Sequence, residues 1–272
     1  MIYQNPNDCM GNRSTFEKFT VALGILKNSW MLLLDKAGLV KNPVYVSKSG
    51  VKFQTRGGTT DINDAVVVLS GKEYPHELLG IDTLVNSGVV PTILDCGGHI
   101  GCFTMYVKSH YPNTKIFTME PVPDNLKLLN VNIGLNKLKN VKVIPFALYG
   151  NSGRFYIDLS GKQFDAVSVT TEKPSHENFV TIDALTLDEV LLQNQISKVD
   201  LLKMDIEGAE YNIFQHSLES LCKNVKRIIM EFHPAGDTEK RNEIVNRLCT
   251  DGTFKLIYET KNILGFENDK LS

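Results

Sequence analysis

The stretch PTILDCGGHIGCFTMY, Pro91 to Tyr106, joins an aliphatic run to an acid and a set of glycines. The run after Pro91 predicts a short buried strand that ends at Asp95, and residues 99–110 are typical of a helix. Between them lie Gly97, Gly98 and Gly101. Such a turn lets a ligand approach the backbone and directs helix N–H groups at polar atoms. The stretch therefore predicts a ligand site at the carboxyl end of a buried strand.

Strands and helices alternate along most of the chain. Further strands are predicted at Lys115–Glu120, Asn140–Leu148, Val199–Ile206 and Lys226–His233, and helices at 124–136, 185–194, 208–221 and 238–252. This alternation indicates an α/β fold with parallel βαβ units and crossovers on both faces of the sheet. The ending FKLIYETKNILGFEN predicts two more strands, which can place an antiparallel strand in an otherwise parallel sheet.

The region before this alternating pattern differs from the rest, so the chain is predicted to divide into an extension and a main domain. Residues 1–50 predict a helical N-terminal extension, and residues 51–272 the main domain. Residues 154–183 alternate apolar and polar side chains and predict an inserted hairpin or two extra strands. The segment Val21–Leu34 predicts an amphipathic helix packed on the main domain, and the same helix is a candidate surface for a homo-oligomer.

Composition excludes several classes of protein. The chain has 272 residues and a formal charge of −2, so no bulk basic field favours nucleic acid. It holds five cysteines, an odd number without C-x-x-C spacing, which predicts reduced thiols in a cytoplasmic protein rather than disulfides or a zinc site. The sequence contains no run of about 18 apolar residues, the length that a membrane-spanning helix requires.

Two cofactor classes use a glycine turn of this kind, dinucleotides and S-adenosylmethionine. In the dinucleotide fingerprint G-x-G-x-x-G, aligned on Gly98 and Gly101, the first glycine falls on Cys96, which counts against NAD. Asp95 could accept from a cationic ammonium and would repel a pyrophosphate. Glu120 ends the next strand, where a carboxylate can accept both ribose hydroxyls of either cofactor.

The chain resembles the FkbM-type class I S-adenosylmethionine-dependent methyltransferases. The matching segments are LDCGGHIGCFT, MEPVPDN, KMDIEGAE and EFH, together with an upstream segment marked by Arg56, Asp61 and Tyr74. The resemblance runs from about Phe53 to the end of the chain and implies a Rossmann-like, mostly parallel seven-stranded sheet with S-adenosylmethionine as cofactor. Its expected cofactor contacts are Tyr74, Asp95, Gly97, Gly98, Gly101, Glu120, Pro121, Phe146, Ala147 and Asp205. His99 stands where the family often has asparagine.

Acids and a histidine lie where the later strands end. Ligands of this fold sit beyond the carboxyl ends of parallel strands, so Asp205, Glu207 and His233 are the candidate catalytic residues. His233 is the candidate general base, because the ordinary pKa of histidine lies near neutrality. Glu207 and Glu210 can also be explained as acids that offset a helix dipole. Glu231 adds another oxygen donor, but the spacing is not diagnostic and no metal is predicted.

The resemblance implies O-methylation of a hydroxyl on a sugar, glycan or natural-product scaffold. The alternatives are a nucleotide-sugar-modifying NAD-dependent Rossmann enzyme, which Cys96 disfavours, and a catalytically inactive binding module of the same fold. RNA methylation is disfavoured by the acidic balance and by the lack of an interleaved arginine and aromatic stripe. The expected partner is thus a small-molecule or glycan acceptor.

Overall fold

The computed structural model describes residues 15–158, 169–233 and 237–271. Its strands are β1 Val44–Val46, β2 Lys52–Gln54, β3 Thr92–Cys96, β4 Lys115–Met119, β5 Val141–Ile144, β6 Ala147–Leu148, β7 Gly153–Asp158, β8 Val169–Thr170, β9 Phe179–Leu185, β10 Leu201–Met204, β11 Arg227–Glu231, β12 Phe254–Glu259 and β13 Ile263–Asn268. Its helices are α1 Thr15–Ile25, α2 Met31–Lys36, α3 Asp61–Leu69, α4 His76–Leu79, α5 Ile81–Asn86, α6 Cys102–His110, α7 Pro123–Leu135, α8 Leu187–Gln193, α9 Glu210–His216, α10 Leu218–Asn224 and α11 Thr238–Asn246, which continues into a π-helical turn, Arg247–Asp251.

Seven strands form the central sheet in the order β5–β4–β3–β10–β11–β13–β12. The pairs from β5 to β11 are parallel, and β13 runs antiparallel to both of its neighbours. Apolar side chains cover both faces: Ile93 belongs to the core on one face, and Leu94 to the core on the other. The predicted α/β fold, with one antiparallel strand near the C-terminus, is confirmed.

The predicted third core strand is interrupted. β5 ends at Ile144, and β6 joins a separate four-stranded sheet in the order β6–β9–β7–β8. Pro145, between them, lacks the N–H that a continuing strand would donate to its neighbour. The second sheet contains the strands predicted within residues 154–183, and β7 pairs with β8 as an antiparallel hairpin. Residues 159–168 lie outside the described ranges.

The N-terminal region contains two short helices and a hairpin. The expected single helix at Val21–Leu34 is divided between α1 and α2, because Leu26 forms a β-bridge with Ser47. β1 and β2 pair antiparallel, so the boundary predicted at residue 50 falls inside this hairpin. The predicted helix at 208–221 is likewise divided, into α9 and α10.

Two further expectations concern thiols and membranes. Cys96, Cys102, Cys222 and Cys249 are free thiols, while Cys9 lies outside the described ranges. Within those ranges, no helix combines the length and apolar character needed to cross a bilayer.

Candidate active site

Asp95 is buried in the middle of the site. Its register partners are Thr118 on β4 and Lys203 on β10. Thr104 and Thr118 donate to Asp95 Oδ2 at 2.8 and 3.2 Å, and Lys203 Nζ lies 3.6 Å from Oδ1. The carboxylate is 0% exposed. The cation that Asp95 faces is therefore Lys203, rather than the ligand ammonium expected from the sequence.

Lys203, on β10, contacts groups at the ends of both β3 and β10. Its Nζ donates to the Gly97 carbonyl at 2.9 Å and lies 3.5 Å from Asp205 Oδ2. Burial alone would lower the pKa of Lys203, but Asp205 and Asp95 outweigh it and raise the pKa above its ordinary value. A charged lysine thus holds the glycine turn against the end of β10.

The glycines are required by close packing against protein. Gly97 has φ 80°, and a Cβ there would fall on the Asp205 carbonyl oxygen. A Cβ on Gly98 would fall on Thr118 Oγ1, and one on Gly101, which has φ 92°, would lie 2.8 Å from Leu129 Cδ1. The first two contacts are with the ends of β10 and β4, and the third is with α7. The turn therefore sits as close to the strand ends as a backbone can.

Glu120 is anchored beside this turn. Its Oε2 accepts from the His99 backbone N–H at 2.8 Å, and its Oε1 accepts from the Val122 N–H at 2.8 Å. Burial raises the pKa of Glu120, and these hydrogen bonds oppose the rise. Pro121, the next residue, is half-buried. The Glu120 carboxylate is thus fixed at the tip of β4, next to the glycine turn.

His99, which stands where the family often has asparagine, lies in the candidate site. It adopts φ 47°, unusual for a residue other than glycine. Its Nε2 lies 3.1 Å from Arg56 Nη2 and 3.5 Å from Asp61 Oδ1. Arg56 in turn donates to Asp61 from both Nε and Nη2. The upstream segment is therefore attached to the glycine turn through these three side chains.

A second polar group lies at the ends of β10 and β11. Asp205, Glu231 and His233 each offer a ligand atom, and these atoms lie within 4.8 Å of one another. His233 Nε2 is 3.8 Å from Glu231 Oε1 and also 3.8 Å from Glu207 Oε2. Glu207 adopts φ 53° in the turn after β10. The predicted catalytic residues are thus brought together, and Glu231 joins them.

Glu210 fixes the orientation of His233. The Glu210 side chain is 0% exposed, and its Oε1 lies 3.2 Å from His233 Nδ1. Burial would lower the pKa of His233, but Glu210, Glu207 and Glu231 raise it to about 10. At neutral pH this imidazole already carries its proton, which disfavours the general-base role expected of it. The dipole explanation for Glu210 is incomplete, since its carboxylate contacts the histidine directly.

Other acids are crowded into this group, and their pKa values are shifted upward. Burial raises the pKa of Glu231, and Asp205 raises it further. Glu73, which no sequence motif indicates, has a pKa raised well above its ordinary value by burial and then by Glu231 and Asp205. The end of the sheet therefore gathers more carboxyl groups than Lys203 and His233 can pair with, and this crowding favours the protonated forms of Glu73 and Glu231.

The remaining expected cofactor contacts are Tyr74, Phe146 and Ala147. Tyr74 is buried, and its Oη has no hydrogen-bond partner within the described structure. Its ring centroid lies 5.9 Å from Lys203 Nζ. Phe146 and Ala147, between β5 and β6, are half-buried. Cys96 is buried as the last residue of β3, with Sγ 3.7 Å from Met119 Sδ, so it does not occupy the tight-turn position of a dinucleotide-binding loop.

A groove of about 570 Å³ lies elsewhere, at the amino ends of β4 and β5. It is lined by Lys115, Asn140 and Gln193, among others. Lys115 begins β4, Asn140 directly precedes β5 and Gln193 ends α8, so the groove is remote from the strand ends where the acids converge. The candidate site is therefore identified by the glycine turn and the converging acids, and not by the volume of a cavity.

Sequence comparison agrees with this architecture. The methyltransferase FkbM domain matches residues 95–264, more than half of the chain. Methyltransferase sdnD of Sordaria araneosa is 28% identical over 176 residues, which cover 54% of this chain and 68% of that protein. Hexuronic acid methyltransferase AglP of Haloferax volcanii is 24% identical over 228 residues, 82% of this chain and 88% of that one.

Two further proteins are similar to this chain. Methyltransferase 1 of Beauveria bassiana is 27% identical, and the match covers 53% of this chain and 66% of that protein. The chain thus spans about two thirds of the two fungal relatives. The METTL16 MTase domain superposes with a TM-score of 0.48 at 11% identity, covering 94% of this chain and 96% of that one. On the domain match, the chain belongs to the FkbM methyltransferase family.

Proposed function

We propose that the protein is an S-adenosylmethionine-dependent O-methyltransferase that acts on a hydroxyl of a sugar or glycan. The observation that carries the proposal is the pairing of the glycine turn with Glu120, which the His99 N–H holds at 2.8 Å. A carboxylate fixed next to a bare backbone turn suits a ligand with a ribose diol and a polar tail.

The residues around the turn fit this cofactor. Gly97, Gly98 and Gly101 would lie along its methionine portion, and Glu120 would accept from the ribose hydroxyls. The orphaned Tyr74 Oη supplies a buried polar atom that a polar ligand would satisfy. Phe146 and Ala147 would flank the adenine. When bound, S-adenosylmethionine supplies an electrophilic methyl group, and the protein supplies binding and orientation.

The acceptor would lie over Asp205, Glu231 and His233. These side chains are 29%, 21% and 21% exposed, so they are reachable from solvent. A concentration of carboxylates favours a hydroxyl that gives up its proton as the methyl group is transferred. The sugar preference is supported by the hexuronic acid methyltransferase of Haloferax volcanii, since that match spans most of both chains.

Cofactor identity is tested by titration calorimetry with S-adenosylmethionine and with NADH. We expect heat only from S-adenosylmethionine, and Glu120→Ala should weaken its affinity about tenfold or more, as loss of a hydrogen-bonded charge does. Glu77→Ala, which alters an exposed glutamate on α4, should leave the affinity unchanged. Binding of NADH alone would refute the assignment.

Acceptor class is tested by mass spectrometry. The protein is incubated with S-adenosylmethionine and hexuronic acids, neutral sugars, nucleotide sugars or polyhydroxylated natural products, and each is examined for the gain of one methyl group. Methylation of a sugar hydroxyl supports the proposal. Cofactor binding without methylation of any acceptor would instead favour an inactive binding module.

A further inference from the structure

We propose that Asp205, Glu231 and His233 form a binding site for a divalent cation, of which Mn²⁺ is the most suitable probe. The inference rests on the proposed function for its chemical role, but not for its geometry. Two carboxylates and an imidazole supply oxygen and nitrogen donors that suit Mn²⁺ and related ions.

The spacing of the donors fits an open form of such a site. One ligand atom from each residue lies within 4.8 Å of the others. Around an ion coordinated at about 2.1 Å in octahedral geometry, ligand atoms lie roughly 3.0–4.2 Å apart. Side-chain rotations that move each ligand atom by less than about 1 Å would bring the three donors to coordinating distance. All three residues keep some solvent exposure, which leaves room for an acceptor oxygen or water on the ion.

The buried Glu210 is an independent observation that points to the same ligand. Its Oε1 contacts His233 Nδ1, which directs His233 Nε2 toward the carboxylates. A carboxylate behind the outer nitrogen of a histidine is the arrangement that orients metal-binding imidazoles and makes them more basic. The other oxygen, Oε2, is buried and has no hydrogen-bond partner in the described part of the chain. Burying a carboxylate costs free energy unless the charge is paired, and the partner of Glu210 is His233.

The site would serve the proposed reaction in a definite way. An acceptor hydroxyl that coordinates the ion becomes more acidic, so its proton leaves more readily to solvent or to a neighbouring carboxylate. The oxygen then forms the new bond to the methyl carbon as the carbon–sulfur bond breaks. In this assignment His233 loses its Nε2 proton when the ion binds and becomes a ligand, and Glu210, which faces Nδ1, is a positioning residue.

The test measures Mn²⁺ binding to the whole protein without cofactor or acceptor, by electron paramagnetic resonance. Glu231→Gln keeps the side-chain volume and removes a ligand charge, and we expect it to weaken Mn²⁺ binding by about 10–100-fold or more, the loss known even for outer-shell partners. Glu207→Gln removes the same charge at the same 3.8 Å from His233 Nε2 but lies outside the set of three. We expect a change of less than about threefold, because screening weakens exposed charges.

Equal losses in these two variants would show a diffuse negative field instead of a coordination site, and would overturn the inference. A second readout is nitrogen spin-echo modulation from Mn²⁺-bound imidazole, expected in the wild type and in Glu207→Gln and absent in His233→Asn. Nitrogen coupling that survives in His233→Asn would also refute it. Mn²⁺ binding without methyl transfer would refute the proposed function alone, and methyl transfer without Mn²⁺ binding would refute the cation site alone.

Discussion

At the scale of single residues, the site is built from acids whose partners are provided by the chain itself. Asp95 accepts hydrogen bonds from Thr104 and Thr118 and lies 3.6 Å from the Lys203 ammonium, and Asp61 is paired with Arg56. Buried charges persist only when they are paired in this way. Removing one partner therefore disturbs the others, and the effect should depend on pH.

Asp61→Asn should lower the free energy of unfolding by about 2 kcal/mol at pH 7, the usual worth of hydrogen bonds to a charged group. Burial would raise the pKa of Asp61, but hydrogen bonds from His99 and Arg56 outweigh it and hold that pKa well below its ordinary range. The folded pKa is depressed, so the stabilisation is present above about pH 4 and is lost as the pH falls toward the folded value. Urea unfolding of both proteins at several pH values measures it.

The same series needs a control in the same helix. Asp64→Asn alters an exposed acid of α3 and should change stability by less than about 0.5 kcal/mol. A difference between wild type and Asp61→Asn that stayed constant from pH 7 to pH 3 would contradict the expected charge of Asp61.

Gly97→Ala and Gly208→Ala form a second matched pair. Both positions have positive φ, 80° and 94°, so each alanine carries backbone strain of about 1 kcal/mol. Only at Gly97 would the new Cβ also fall on backbone, at the Asp205 carbonyl, whereas nothing lies within 4 Å of it at Gly208. We expect Gly97→Ala to cost about 3 kcal/mol or more and Gly208→Ala about 1 kcal/mol in chemical unfolding. Equal losses would show that the close approach at Gly97 is unimportant.

At the scale of elements, asparagine amides supplement the backbone pairing at the outer edges of the hairpin of β1 and β2. Asn28 accepts from Val46 N and donates to the Val44 carbonyl, which satisfies the outer edge of β1. Asn132 on α7 and Asn136, directly after the end of α7, do the same for Gln54 and Lys52 on β2. Side-chain amides thus replace the ladder that an adjacent strand would supply, and attach the N-terminal region to the main sheet.

Asn132→Ala should reduce the free energy of unfolding by about 3 kcal/mol, because it leaves buried backbone groups without partners. Asn132 is 0% exposed and also donates to the Ile100 carbonyl at 2.8 Å, in the glycine turn. Asn130→Ala, at an exposed position of the same helix, should cost less than about 0.5 kcal/mol. Thermal and urea unfolding of the two variants give the comparison, and similar losses would show that the Asn132 amide does not join the hairpin to α7.

At the scale of the whole molecule, parallel strands bring distant segments of sequence to one edge. The glycine turn follows β3, Glu120 follows β4, and the acid and histidine group follows β10 and β11. Strand order places β3 between β4 and β10, so both groups of residues flank the same turn. A ligand bound there contacts segments from most of the chain and should stabilise all of it.

S-adenosylmethionine at a hundred times its dissociation constant should stabilise the folded protein by about 2.7 kcal/mol. For a chain of this size we expect the melting temperature to rise by roughly 5–10 °C. Differential scanning fluorimetry detects the shift, with NADH at the same concentration as the comparison. A rise with NADH and none with S-adenosylmethionine would argue for the dinucleotide alternative.

The sequence was sufficient to predict the fold class, and it indicated a candidate site at the carboxyl ends of the strands. Periodicity and glycine placement specify local structure, so β3, α6 and the terminal hairpin of β12 and β13 could be read directly from the chain. The same holds for the strand ends, because acids and glycines at those points are local signals.

Tertiary structure alone decided which side chains meet. No sequence signal joins Glu210 to His233, Asp95 to Lys203, or His99 to Arg56, because these contacts span 23 to 108 residues and depend on strand order and register. Charge states followed from those contacts: burial and neighbouring acids, which are properties of three-dimensional packing, put a proton on His233 and crowd carboxylates around it.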